Sequence, residues 1–240
     1  MQAAAQQFTE EVSALKARIK FRKYGVMKFI GHLDIMRFFQ KVMRRADIPI
    51  AFTGGFSPHM IMSFANPLGV GITSDGEYFD IELAEEIDMK AAVERMNAAM
   101  VEGIDVVNMV PISDSKKETG MSIVAAADYV STLKNGSFPE DWKGRVSKFM
   151  EQSEILIVKK TKKSEKEVDI KPMIYKLEVQ GDGIYMRVAT GSVENLKPEL
   201  VMQAFCNSLG VSLEEVSFAH HRLDVFAREN EKFVSLDQVS

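Results

Sequence analysis

The stretch Ala17–Ala46, ARIKFRKYGVMKFIGHLDIMRFFQKVMRRA, changes its hydrophobic period partway along. In residues 17–22 apolar and basic side chains alternate, which is the pattern of a half-buried β-strand. From His32 to Asp47 the apolar side chains recur every three to four residues, as they do along one face of an α-helix. The stretch therefore predicts a strand followed by an amphipathic helix, and this pair begins an order of elements that recurs later.

The same order of strands and helices can be read twice along the chain. Up to residue 110 the patterns predict a strand, a helix, two strands, a helix and a strand, and a similar series follows the polar segment 111–120. The order β-α-β-β-α-β is that of the ferredoxin-like fold. We therefore predict an α+β protein with two ferredoxin-like units in tandem. A single α+β domain with one larger mixed sheet is the alternative.

The expected domain boundaries follow from these two units. Residues 17–110 are predicted to form the first unit, with a long Gly/Pro loop, and residues 121–228 to form the second. The turn-rich segment 111–120 is interpreted as a linker. Residues 1–16 are expected to form an N-terminal helix or tail, and residues 229–240 a C-terminal tail.

The composition is that of a core-forming chain, with 46% apolar and 27% charged residues. A net charge of -4 gives no global attraction to nucleic acid, so any such binding has to come from a local patch. The single cysteine, Cys206, excludes an intramolecular disulfide and fits a reducing compartment. No apolar run reaches the roughly 18 residues that span a bilayer, and the start lacks a signal-peptide pattern. We expect a cytoplasmic protein without a membrane partner.

The outer face of the predicted 32–47 helix carries a cluster of cations at i, i+4, i+7 and i+8 spacing. These residues are Arg37, Lys41, Arg44 and Arg45. The basic residues of the first strand are expected to extend the cluster. They are Arg18, Lys20, Arg22 and Lys23. Such a cluster could attract phosphates, whereas an ordinary solvated helix face is the alternative.

His32 and Asp34 lie in the first turn of this helix. Backbone N–H groups at a helix N-terminus can bind an anion, and an imidazole beside them could bind phosphate or transfer a proton. The alternative is a partly buried histidine that orients a neighbouring loop.

Residues 54–77, GGFSPHMIMSFANPLGVGITSDGE, form a loop much longer than the about two to six residues that most connections need. Long ordered loops tend to carry function. The loop matches neither a Walker loop nor a dinucleotide fingerprint. Its candidate binding residues are Phe56, Ser57, His59, Ser63, Asn66 and Glu77. We expect it to fold back beside His32 and form one pocket with the basic helix.

No cofactor and no metal are expected from the sequence, because none of the four histidines has the spacing of a metal-binding motif. No catalytic residue is assigned. The segment HHRLDVF at 220–226 is interpreted as a surface strand edge.

Several motifs between residues 17 and 110 resemble the radical-SAM-linked family of bacterial proteins, a group with a domain of unknown function. They are FIGHLD at 29–34, RRA at 44–46, GFSPH at 55–59, SFANPL at 63–68 and GITSDGEYFD at 71–80. The resemblance implies that the protein is encoded beside, or fused to, a radical S-adenosylmethionine (SAM) protein, which would be its partner. It does not imply radical chemistry in this chain, since one cysteine cannot supply the three thiolates of the cluster.

Three functions are open at this point. The first is a non-catalytic accessory or substrate-presenting protein that works with a radical SAM enzyme and binds RNA, either tRNA or rRNA, through the basic helix and the loop. The second is a metal-independent RNA-processing enzyme with His32 or His59 as general base. The third is a protein–protein docking module. The RNA-processing enzyme is the least favoured of the three.

Overall fold

The computed structural model describes residues 15–112, 119–160 and 165–239. The predicted N-terminal helix or tail, except for its last two residues, therefore lies outside the described residues. So do most of the predicted linker and the final serine.

The helices and strands have the following bounds. The strands are β1 (Leu15–Lys23), β2 (Met62–Phe64), β3 (Thr73–Leu83), β4 (Ile104–Ile112), β5 (Val124–Asn135), β6 (Leu156–Lys160), β7 (Glu165–Asp169), β8 (Ile174–Gln180), β9 (Gly183–Ala189), β10 (Ser217–Glu229) and β11 (Lys232–Ser235). The helices are α1 (His32–Arg45), α2 (Met89–Ala98), α3 (Gly120–Ile123), α4 (Trp142–Glu151) and α5 (Pro198–Leu209). A short 3-10 helix at Leu236–Gln238 follows β11.

Local sequence signals explain where several helices begin and end. The Asp88 carboxylate accepts hydrogen bonds from the Lys90 and Ala91 N–H groups, at 2.9 and 3.1 Å, and so caps the start of α2. Helix α5 begins at Pro198, whose missing N–H costs nothing in a first turn. It ends at Gly210, which has a φ of 71° and adopts the left-handed conformation that favours glycine.

One nine-stranded sheet forms the centre of the molecule. Its order is β4-β1-β3-β10-β5-β9-β8, with β2 also paired to β3 and β11 to β10. The described strand pairs are antiparallel except for the β3–β10 pair, and β6 and β7 form a separate hairpin. The chain is thus a mixed α and β protein with a large mixed sheet and few helices, while its division into two ferredoxin-like units stays a prediction.

Two hydrophobic clusters form the core, one on each side of the β3–β10 pair. The first packs α1 and α2 on β1, β3 and β4, and contains Phe21, Phe39, Phe64 and Phe79 with ring centroids 4.6–6.1 Å apart. The second packs α4 and α5 on β5 and β9. The buried apolar residues of α1 pack into this core, and its cations and Leu33 remain exposed to solvent.

The two parts of the sheet meet over a very short parallel contact. Only His221 with Thr73 and Arg222 with Ser74 pair there. Next to this contact, a Cβ on Gly76 would lie 2.8 Å from the Cα of Asp224 in β10, closer than real Cβ atoms approach. A side chain at position 76 would therefore push the two strands apart.

The segment 48–52, which follows α1, makes only isolated bridges, Ile50 with Leu83 and Phe52 with Met60. Pro49 lacks an N–H for a ladder, and the chain has just left α1. Beyond residue 229, β11 pairs with β10, and the Leu236 side chain is fully buried. The last described residues therefore pack onto the sheet.

Candidate functional site

The polar side of α1 presents a basic surface to solvent, which we call the α1 basic face. Its members, all exposed, are Arg37, Lys41, Arg44 and Arg45. Arg37 also lies 3.2 Å from the Asp34 carboxylate, with both side chains about two-thirds exposed. An exposed pair of this kind contributes little free energy, about 0–1 kcal/mol, so a phosphate can compete for the guanidinium.

The basic residues of β1 do not extend this surface, so that expectation is wrong. The Arg18 side chain is 1% exposed and donates to both oxygens of Asp80, at 2.8 and 3.0 Å, and to the carbonyl of Leu236. Lys20 donates to Asp224 at 2.8 Å. The alternation of apolar and basic residues in β1 predicted that the basic side of the strand faces solvent. The C-terminal residues cover that side, so Arg18 and Lys20 form ion pairs inside the protein.

Lys23 and Arg22, the other two basic residues, differ from each other in exposure. Lys23 is buried, and its ammonium donates to the carbonyl of Ile30 at 2.8 Å. Arg22 is half-exposed and lies 3.6 Å from Asp75. Of the four basic residues at the end of β1, only Arg22 can therefore face an external phosphate.

The first part of the long loop forms a braced projection, the loop tip (residues 53–59). The Thr53 N–H donates to the His59 carbonyl at 2.9 Å, and the His59 N–H donates to the Thr53 hydroxyl at 3.1 Å. The His59 Nδ1 also lies 3.0 Å from that hydroxyl. Phe56 and Ser57 are exposed at the end of the projection, and the Phe56 ring is wholly in solvent.

The second part of the loop returns along β3 and reaches the start of α1. Phe64 pairs with Phe79, and its ring packs against His32 with the centroids 5.2 Å apart. His59 precedes Phe64 by five residues, so extended chain would separate them by about 16 Å. The sequence led us to expect one pocket shared by the whole loop and His32. His32 does line a small pocket with the second half of the loop, including Phe64 and Glu77, but no residue of the loop tip lines it.

The candidate residues outside α1, together with His32, fall into three places. Asn66 and Glu77 contact Arg222 at the β3–β10 pair, and His32 lines a small pocket with Glu77. Phe56, Ser57 and His59 lie at the tip, which follows the C-terminal end of α1 with Arg44 and Arg45. Ser63 lies opposite Asp80 in the β2–β3 register.

A buried charge cluster ties the loop to both parts of the sheet. The Arg222 guanidinium donates to the Glu77 carboxylate at 2.9 Å, to the carbonyl of Asn66 at 2.8 Å and twice to the Tyr129 hydroxyl, at 3.1 and 2.9 Å. The Arg222 and Glu77 side chains are 4% and 5% exposed. Sequence reasoning assigned the HHRLDVF segment to a surface edge and missed Arg222. Arg222 has the polar neighbours His220, His221 and Asp224, so no local pattern in the sequence marked it as buried.

Burial shifts the pKa values in this cluster. Burial raises the pKa of Glu77, although Arg222 and Lys23 oppose the shift. Burial also lowers the pKa of Lys23. The pKa of His32 is lowered by burial and by the charge of Lys23, so its imidazole is neutral at pH 7. His32 therefore adds no charge to the α1 basic face but can accept a proton.

Neither a metal centre nor a membrane span is evident in the part of the chain that the structure describes. Across residues 15–112, 119–160 and 165–239, no group of three or more His, Cys, Asp or Glu side chains could hold a metal ion. Over the same residues, no helix is both long and apolar enough to cross a bilayer.

Several solved structures show a distant likeness to the chain. A Cbf5-Nop10-Gar1 complex aligns with 90% of this chain and 50% of its own, at 14% identity and a TM-score of 0.47. An H/ACA RNP bound to a substrate RNA containing 2'-deoxyuridine aligns with 86% and 46%, at 13% identity and a TM-score of 0.42. An archaeal box H/ACA sRNP Nop10-Cbf5 complex aligns with 92% and 51%, at 13% identity and a TM-score of 0.41.

The chain spans about half the length of these three structures. With TM-scores below 0.5, the likenesses establish neither its fold nor its function. No curated protein matches the sequence. One family profile, described as an uncharacterised protein conserved in bacteria, matches residues 16–198, which is most of the chain. The chain therefore belongs to this bacterial protein family, DUF2344.

Proposed function

We propose that this protein is a non-catalytic accessory or substrate-presenting protein that binds RNA along the α1 basic face. One observation carries the proposal. The four cations of that face are all exposed, while the opposite face of the same helix is packed into the core. A rigid, solvent-facing row of cations is what a phosphate backbone requires.

The loop tip is the second contact of this proposal. It begins eight residues after the last cation of α1, and its braced backbone presents the fully exposed Phe56 ring. Aromatic rings stack on unpaired bases at about 1–3 kcal/mol per base, independently of sequence. Cations on the helix and an aromatic ring on the tip would together select single-stranded segments of a structured RNA such as tRNA or rRNA.

The enzyme served by this accessory protein is proposed to be a radical SAM protein, on the resemblance described above. Its proposed architecture is two ferredoxin-like units, residues 17–110 and 121–228, in the cytoplasm. The strand order β4-β1-β3-β2 in the first and β10-β5-β9-β8 in the second support that division. Copurification with the neighbouring radical SAM protein after nuclease treatment tests the partner. Loss of the complex on nuclease treatment would mean that RNA alone links the two.

RNA binding is tested by a charge-neutralised helix. A variant with Arg37, Lys41, Arg44 and Arg45 all changed to Gln is expected to bind tRNA at least tenfold more weakly than wild type near 0.1 M salt. It should also reduce the magnitude of the slope of log affinity against log salt by up to about 3.6, because each of the four phosphate contacts contributes roughly 0.7–0.9.

The matched control removes the same number of exposed positive charges elsewhere. It carries Lys134, Lys143, Lys148 and Lys232 changed to Gln. Wild-type affinity in the α1 variant, or an equal loss in the control, would contradict the proposal.

His32 supports a second candidate, a metal-independent RNA-cleaving enzyme, because its lowered pKa makes the imidazole a proton acceptor at pH 7. This candidate requires cleavage of tRNA in EDTA that is abolished in His32→Ala. Full-length RNA after long incubation with wild type would reject it.

An exposed apolar strip beside His32 supports a third candidate, the protein docking module. Val26, Phe29 and Leu33 are 75%, 63% and 60% exposed. This candidate requires a complex with the radical SAM protein that is lost in Phe29→Ser and unchanged in the α1 variant.

A further inference from the structure

A cavity lies on the far side of the loop from α1, between loop residues 66–72 and the first turn of α5. It has an inner pocket of about 90 Å³, whose walls include Asn66, Tyr129 and Arg222. An outer cleft of about 390 Å³ adjoins it, and Ile72 and Glu199 line both. The inner pocket has room for several water molecules, and the outer cleft is within the size range of small-molecule sites.

Arg222 makes the inner pocket a site for an anionic group. Of its five N–H groups, four are used by Glu77, by the Asn66 carbonyl and by Tyr129. The remaining N–H belongs to Nη2, on a guanidinium that lines the pocket. A buried guanidinium donates a charge-assisted hydrogen bond about twice as strong as a neutral one.

The charges around the pocket leave a positive excess. Of the charged residues that line the pocket, Arg222 and Lys197 are positive and Glu199 is negative, which sums to one positive charge. Lys23 and Glu77 lie next to Arg222 but line the neighbouring pocket on the His32 side, and their opposite charges leave this sum unchanged. The Glu77 carboxylate accepts a hydrogen bond from Arg222 and also interacts electrostatically with Lys23. Its single negative charge can neutralise only one of these two buried cations. A ligand with one negative charge would complete the balance.

The outer cleft suits a flat or aliphatic body. Leu213, Phe218 and Ile72 supply apolar walls, and Gln203 and His220 supply polar atoms. Burial lowers the pKa of His220, although Glu199 opposes the shift, and its Nδ1 lies 2.8 Å from the Ser131 hydroxyl. A neutral ring beside apolar walls fits an uncharged part of a ligand better than a second charge.

We propose that this cavity binds a small organic anion. Its carboxylate or phosphate group lies in the inner pocket against Arg222, and its planar or aliphatic body lies in the outer cleft. The site is separate from the α1 basic face, and its occupancy does not depend on RNA binding.

Benzoate and phenyl phosphate serve as probes, since they pair the same ring with the two head groups. Titration calorimetry on the full chain is expected to show saturable one-to-one binding of at least one probe, and the tighter one identifies the head group. Benzyl alcohol, which has the ring without the charge, is expected to bind at least tenfold more weakly.

Exposed positions on the rim allow variants that leave the buried cluster intact. Lys197→Glu reverses a rim charge, and Leu213→Glu adds a carboxylate to the outer cleft. Each is expected to weaken probe binding at least fivefold. The controls Lys148→Glu and Val158→Glu make the same changes at exposed positions on α4 and β6 and should bind as wild type does.

Two results would overturn the proposal. One is that neither probe shows saturable binding to folded wild-type protein. The other is equal binding by the rim variants and their controls, which would place the probes elsewhere.

Discussion

Neutralising Glu77 tests whether the buried charge cluster joins the two parts of the sheet. Glu77→Gln keeps the shape of the side chain but removes the charge that faces Arg222 at 2.9 Å in a site where both residues are nearly inaccessible. Lys23 and Arg222 are then left without a counter-ion. Breaking a buried pair by removing one partner costs about 3–5 kcal/mol. Since whole domains are stable by only about 5–15 kcal/mol, the loss should be large.

Urea unfolding followed by circular dichroism measures the loss. The control is Asp182→Asn, which breaks the exposed pair of Lys143 and Asp182, 3.2 Å apart, and should cost less than about 1 kcal/mol. Limited proteolysis of Glu77→Gln should also show earlier cleavage within residues 66–72, because Arg222 fixes the Asn66 carbonyl. If Glu77→Gln loses no more stability than the control, the cluster does not hold the sheet together.

Other expectations follow from single positions. Gly76→Ala should lower the free energy of unfolding by at least about 2 kcal/mol in a urea titration, since its Cβ would approach the Asp224 Cα to 2.8 Å; unchanged stability would refute this. The pKa values of His32 and His220 are lowered in the folded protein, so just below pH 6.5 the unfolded chain binds more protons than the folded one. The free energy of unfolding should therefore fall as the pH is lowered from 7.5 to 5.5. The fall should be less steep in His32→Gln. A flat profile would contradict it. Phe56→Ala should leave the thermal midpoint unchanged but weaken RNA binding by about 1 kcal/mol or more. An affinity equal to or tighter than that of wild type would exclude stacking.

Local patterns in the sequence were sufficient for most of the elements. The apolar spacing along α1 predicted both the helix and its exposed basic face, because a 3.6-residue period depends only on neighbouring residues. The Asp88 cap, the Pro198 start of α5 and the turn between β8 and β9 likewise depend on short local motifs. In these places local propensity and tertiary packing agree.

Long-range contacts decided what the sequence could not. Alternation in β1 predicted one buried and one solvated side, yet Leu236, 218 residues away, covers Arg18. Arg222 reaches Glu77 across 145 residues, and no local period indicates that a basic residue in a strand will find a buried partner. The loop was expected to form one wall of a pocket. Its second half does line a small pocket with His32, whereas the bridge between Phe52 and Met60 closes the first half into a separate projection.

The most direct test of the account is to locate RNA on the protein. Wild-type protein is crosslinked to tRNA by ultraviolet light, digested and analysed by mass spectrometry for nucleotide-bearing peptides. RNA that lies along the α1 basic face and stacks on Phe56 should yield crosslinks in residues 32–45 and 53–59. Crosslinks confined to residues 121–228, or an identical pattern from the protein with a neutralised α1, would contradict it.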